Sequence, residues 1–288
     1  QQIMWFNTVA LVPIILLGIE RIIDGKRGGI YVISMTLSLC YNIQLSYMAG
    51  IFAVLYLFWR LTEISDNRKT ILVRFIICNA LCAGLYMPMF LPFLNNVIGG
   101  RMSSVNYLPE KLFNYPFGDI VKQFLSCRYS TIASGGLPNL FCGTFVPVIA
   151  LTAVILPVKP LKTRVTSAGI IIFFMASLCV APINRFWHMF SEPNSYPARY
   201  SFLFCLFLLI LAYQVMDHVC KKVDISRSTI ILLEGIAMII MCIETYRNSG
   251  YLFTSLNIEN SYELYSVYQQ TVGDVNGVLD KTDDDDFY

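Results

Sequence analysis

Residues 30–60 read IYVISMTLSLCYNIQLSYMAGIFAVLYLFWR, a long apolar run broken near its middle by Tyr41-Asn42-Ile43-Gln44-Leu45-Ser46-Tyr47. As one straight helix it would be about 46 Å long, too long for a hydrocarbon core of roughly 30 Å. As two full spans it is too short, because those need about 40 residues. The run is therefore expected to fold as a hairpin of two shortened helices that turns at the polar patch. Basic residues flank both ends, Lys26 and Arg27 before it and Arg60, Arg68 and Lys69 after it. A hairpin places all of them on one side of the membrane.

Working outward, apolar residues make up 56% of the 288-residue chain and charged residues 14%, with mean hydropathy +0.59, so the chain belongs in a lipid bilayer. The net charge of +2 gives no reason to expect a nucleic-acid partner. Further spans are expected near 4–19, 71–94 (closed by Pro88 and Pro92), 140–157, 166–183, 200–216 and 228–245. The expected fold is all-α and integral to the membrane, with about eight membrane helices counting the hairpin pair. The polytopic domain would occupy 1–245, with loops at 95–138 and 184–199. A short interfacial helix is expected within 113–125, with Phe113, Phe117, Ile120, Val121 and Phe124 as its apolar set.

Strict alternation puts thirteen of the 21 lysines and arginines on the side of the first basic loop, including Lys159, Lys162, Arg164, Lys221, Lys222 and Arg227. The positive-inside rule then makes that side cytoplasmic, with the 184–199 loop and the tail outside. The chain opens at Gln1, and residues 246–288 read as the start of an extracytoplasmic region of a longer polypeptide. Most of the nine cysteines lie in apolar runs; Cys127 and Cys142 do not, and they are read as two unpaired thiols, a 127–142 disulfide being the alternative.

Chemistry-bearing residues concentrate in 184–204. Arg185, Trp187, His188, Arg199 and Tyr200 lie there, between two apolar runs and beside Pro193 and Pro197. Arg199 starts a span, and its planar guanidinium suits two-point recognition of a phosphate; the plainer alternative is an interfacial anchor. A phosphate there is expected to sit between the rings of Trp187 and Tyr200. Asn42, with Gln44 and Ser46, either satisfies the turn's own backbone or floors a ligand cavity. Asn139, after Gly135-Gly136-Leu137-Pro138, is expected to cap the next helix, whose N-terminus would favour an anion. Glu234 and Glu244 are ionisable groups at or near membrane depth. The run Asp283 to Asp286 is a solvated acidic turn. No glycine-rich phosphate loop or zinc spacing occurs, so neither cofactor nor metal is expected.

Several short patterns resemble the YfhO-type bacterial membrane proteins. They are Met4-Trp5, Leu11-Val12-Pro13 and Leu17-Gly18-Ile19-Glu20-Arg21, then Tyr41-Asn42 and Tyr47-Met48-Ala49-Gly50-Ile51-Phe52. Gly136-Leu137-Pro138-Asn139-Leu140-Phe141-Cys142-Gly143, Trp187-His188 and Pro197-Ala198-Arg199-Tyr200-Ser201-Phe202 continue the series. Such proteins are similar to C-type glycosyltransferases. The resemblance implies transfer of a sugar from a polyprenyl-phosphate donor to a cell-envelope polymer such as a teichoic acid, on the outer face of the bacterial membrane. It also implies a catalytic acid upstream of Gln1, so no catalytic residue is assigned. A transporter or flippase of lipid-linked sugars is the alternative, and a structural membrane scaffold a third.

Overall fold

The computed structural model describes residues 3–100, 112–125, 137–143, 145–157, 159–190 and 198–221, with isolated helical positions from Ile231 to Tyr246. Every element among them is a helix: α1 (Ile3–Ile23), α2 (Gly29–Tyr41), α3 (Ile43–Leu61), α4 (Arg68–Gly100), α5 (Phe117–Lys122), α6 (Val146–Ile155), α7 (Leu161–Cys179), α8 (Ala181–Trp187) and α9 (Ser201–Lys221). Helices satisfy their own backbone groups, which lipid cannot do. Five are long and apolar enough to cross a membrane, and α2 and α6 are shorter apolar helices. Their outer faces carry exposed Ile33, Phe58, Ile76, Leu85, Ile172 and Tyr213, side chains suited to lipid.

The run at 30–60 folds back on itself at one residue. Asn42 is extended (φ −157°, ψ 107°); its N–H donates to the Ser38 carbonyl, closing α2, and its Oδ1 accepts the Leu45 N–H at 2.9 Å, opening α3. Beyond it the two helices approach face to face, with Ser38 Oγ 2.6 Å from Ser46 Oγ and Met35 against Gly50. Only α2 is shortened, at 13 residues; α3 has 19, enough for about 28 Å. Helix α1 lies against α2 so closely that a Cβ on Gly18 would sit 2.6 Å from the Tyr31 Cα. Small residues allow this approach between helices in lipid.

The basic connections gather at one end of the bundle. Arg60 makes a two-point contact with Glu20, Nε to Oε1 at 2.7 Å and Nη2 to Oε2 at 2.9 Å, and the Tyr56 hydroxyl donates to the same carboxylate at 2.6 Å. Arg60 also pairs with Glu63, which meets Lys159 at 3.0 Å. Thr62 donates to Thr163 at 3.0 Å. Arg164 caps the C-terminal carbonyls of α6, at Val154 and Ile155. Between the two ends, Phe52, Trp59, Phe174 and Phe207 form the buried aromatic core, and Trp59 Nε1 donates to Ser167 Oγ at 2.8 Å.

Three expectations change. Pro88 and Pro92 lie inside α4 rather than closing it. A helix in lipid tolerates the missing N–H more readily than it tolerates unwinding. The interfacial helix is only Phe117–Lys122, and its apolar set divides: Ile120 is buried and Phe124 packs on Phe204, while Phe113, Phe117 and Val121 face outward. Asn139 does not cap α6, which starts at Val146; its Oδ1 accepts the Phe141 N–H at 3.1 Å, closing a local turn. The expected last span is represented by helical positions such as Ile231, Gly235 and Met238, and Glu234 and Glu244 fall outside the described residues.

Candidate functional site

The end of the bundle opposite the Glu20–Arg60 cluster collects α1's start, the hairpin tip, the α7–α8 junction and the start of α9. From Arg60 to Gln44 along α3 is roughly 24 Å, most of a bilayer core. Val180 breaks the chain between α7 and α8 with extended backbone (φ −99°, ψ 116°). The 112–114 segment pairs across this break: Asn114 N–H donates to the Cys179 carbonyl and Ala181 N–H to that of Leu112. Helix α8 then closes with Met189 and Phe190 both at positive φ, and their N–H groups return to the Phe186 and Arg185 carbonyls. This double cap satisfies the last turn. Ala198, beside Arg199, is also left-handed at φ 51°, a strained value for a residue with a Cβ.

Arg199 Nη1 donates to Gln44 Oε1 at 2.8 Å, and its guanidinium carbon lies 4.7 Å from the centre of the Trp5 ring. The hairpin tip and the N-terminal helix thus hold the arginine from two sides, one by an amide and one by a π face. Burial pulls the Arg199 pKa below its ordinary value. His188 is fully buried with Nδ1 2.9 Å from the Asn184 carbonyl, which requires the proton on Nδ1. Burial first, and the Arg199 charge in addition, hold its pKa below the ordinary histidine value, so the ring is neutral at pH 7.

Trp187 and Tyr200 stack on each other, centroids 4.7 Å apart at 15°, and the stack continues through Phe174 to Phe204. Both are fully buried, and Trp187 Nε1 donates to Ser177 Oγ at 3.0 Å. No phosphate fits between rings already in contact, so that expected placement is corrected: the pair forms a wall behind Arg199. Burial drives the Tyr200 hydroxyl pKa well up. Arg185 is buried in the last turn of α8. Asn42 is engaged by its cap and Asn139 by its own turn, so Gln44 supplies the hairpin's contact to Arg199.

Sequence reasoning missed Trp5, because a lone aromatic at a helix start carries no signal until the fold brings Arg199 to it. It also missed three buried polar atoms with no hydrogen-bond partner among the described residues: Thr8 Oγ1, Asn184 Oδ1 and Tyr200 Oη. Each lies within about one helical turn, or one residue, of Trp5, His188 or Arg199. An unmet buried polar atom costs about 1–3 kcal/mol, so this end suits a polar guest. Beside it a cavity of about 380 Å³ is lined by Phe113, Asn114, Tyr115, Pro116, Phe117 and Cys179. A guanidinium beside an aromatic ring can meet an anionic group.

A family model described as bacterial membrane protein YfhO matches residues 1–267. The chain belongs to that family. No curated protein and no solved structure matches it. As a YfhO-family chain with five membrane-length apolar helices among its described residues, it is a multi-pass membrane protein.

Proposed function

We propose that this chain carries the donor-binding part of a membrane glycosyltransferase. The donor is a sugar on polyprenyl phosphate and the acceptor a cell-envelope polymer such as a teichoic acid. The observation that carries this reading is the Arg199 guanidinium, set at a membrane-end wall of stacked aromatics and held by Gln44 and Trp5. Arginine binds a phosphate through two parallel N–H donors, and a site of reduced dielectric strengthens that contact. The YfhO resemblance supports sugar transfer as the reaction. The excess of basic residues around the Glu20–Arg60 end supports placing that end in the cytoplasm and Arg199 at the outer face. No residue is assigned as the catalytic acid.

The test is donor handling by the purified full-length protein in nanodiscs. Binding of a polyprenyl-phosphate sugar, and loss of its sugar when a teichoic acid acceptor is added, are the expected results. Movement of the lipid across liposomes without turnover would transfer the site to a transporter or flippase. Absence of binding would leave Arg199 an interfacial anchor.

A further inference from the structure

The turn between α1 and α2, at the end of the bundle that holds Glu20 and Arg60, gathers arginines from two helices. One edge of α4 runs along this turn and α2 in steps of four residues. Cys82 Sγ donates to the Val32 carbonyl at 3.7 Å, and Cys78 packs on Gly28. One step further, Arg74 Nη1 lies 3.6 Å from where a Cβ on Gly25 would stand. Gly25 is left-handed at φ 77°, and its missing side chain leaves room for that guanidinium over the turn. Arg21, in the last turn of α1, is partly buried, and its Nε is enclosed with no hydrogen-bond partner among the described residues. Arg27 follows on the turn and is exposed. The two carboxylates nearest Arg21 in sequence are already taken, Glu20 by Arg60 and Asp24 by Lys26 at 3.0 Å. Among the described residues no ion pair reaches Arg21, Arg27 or Arg74. Helix α2 starts at Gly29 with no side-chain cap, so its positive end adds to the same turn.

We propose that Arg21, Arg27 and Arg74 form a site for the phosphate of an anionic phospholipid in the leaflet at this end of the bundle. Guanidinium groups match phosphate oxygens through parallel N–H donors, and basic pockets between membrane helices receive anionic head groups. A lipid is favoured over a soluble phosphate by what lies beside Arg74 on α4. Val73, Ile76 and Ile77 are 54%, 64% and 53% exposed, an apolar track for acyl chains that begins at the guanidinium. Arg74 also falls inside the membrane-length stretch Arg68–Pro92, about 9 Å along the helix from Arg68, near the boundary of head group and chain. A zwitterionic head group would bring its own cation against the arginines, so a net negative one fits better. The site is separate from Arg199, and it requires neither orientation of the bundle.

The test delipidates purified full-length protein in detergent and follows bound lipid by native mass spectrometry during titration with phosphatidylglycerol or phosphatidylcholine. One phosphatidylglycerol is expected to bind in preference to phosphatidylcholine. Arg74→Gln and Arg27→Gln should each weaken it about fivefold, the worth of one basic residue at an anionic surface. Lys162→Gln removes an exposed cation from α7 at the same end and should leave the affinity unchanged. Equal losses in all three variants would make this a diffuse positive surface and overturn the site, as would equal retention of the two lipids. A last arm titrates glycerol 1-phosphate. Binding as tight as that of phosphatidylglycerol would overturn the lipid and assign the turn to a soluble phosphate.

Discussion

The two ends of this bundle each hold an arginine away from bulk water, and they hold it by opposite means. Arg60 faces two carboxylates, Glu20 and Glu63, and Lys159 completes a set of two cations and two anions. Arg199 faces the Gln44 amide and the Trp5 ring. The first cluster is closed, because each charge is met by protein from another element. The second sets its guanidinium against a side-chain amide and a ring face. Paired charges fasten helices together, whereas an amide and a ring are contacts that a guanidinium can exchange when an anion arrives.

Breaking the closed end should have the largest effect. Arg60→Met removes the cation shared by α1 and α3 and leaves Glu20 and Glu63 repelling each other. Removing one partner of a buried pair costs about 3–5 kcal/mol. The Arg60 side chain is 23% exposed, so the low end, about 3 kcal/mol, is expected. The readout is the unfolding midpoint in detergent. Donor affinity of the molecules that remain folded should match wild type, and an unchanged midpoint would mean that packing alone holds α1 to α3.

The open end should respond in the other currency, with binding lost and stability kept. Arg199→Lys retains the charge but loses the planar fork and the flat stack over Trp5. Loss of a charge-assisted hydrogen bond to phosphate is worth about 1.5–3 kcal/mol, on the order of a tenfold to hundredfold weaker donor affinity. Arg199→Ala should bind more weakly still. Equal affinities for all three proteins would erase the difference between the two ends.

The hairpin was legible in the sequence because length alone rules out both a single span and two full ones. The same-side placement of Lys26 and Arg60 followed from it, and the Glu20–Arg60 pair bears it out. The partition of polar duties at the tip was not legible. Asn42, Gln44 and Ser46 look alike as polar breaks, and only three-dimensional placement separates a helix cap, an arginine partner and a link to Ser38. From the sequence, Trp187 and Tyr200 read as the two sides of a ligand cleft. The sequence could not reveal that Phe174 and Phe204, from α7 and α9, extend them into one closed stack. Helix ends were the weakest point, because prolines that stop a helix in water lie inside α4.

The smallest effect tests whether the open end owes its charge to arginine alone. His188 is held neutral by burial, with its Nδ1–H on the Asn184 carbonyl and Arg199 opposing a second positive charge. Its pKa in the folded chain therefore lies below the ordinary 6.5 of an unfolded histidine. Between those two values the unfolded chain binds the additional proton, so stability is fully present above pH 6.5 and falls as the pH drops toward the folded pKa. One group contributes a slope of at most about 1.4 kcal/mol per pH unit. Wild type and His188→Gln should thus have unfolding midpoints that run parallel above pH 7 and separate below 6.5, with wild type falling faster. Parallel curves throughout would mean that His188 binds its proton equally in the folded and unfolded chain, and divergence above pH 6.5 instead of below it would mean that the folded chain holds the proton beside Arg199.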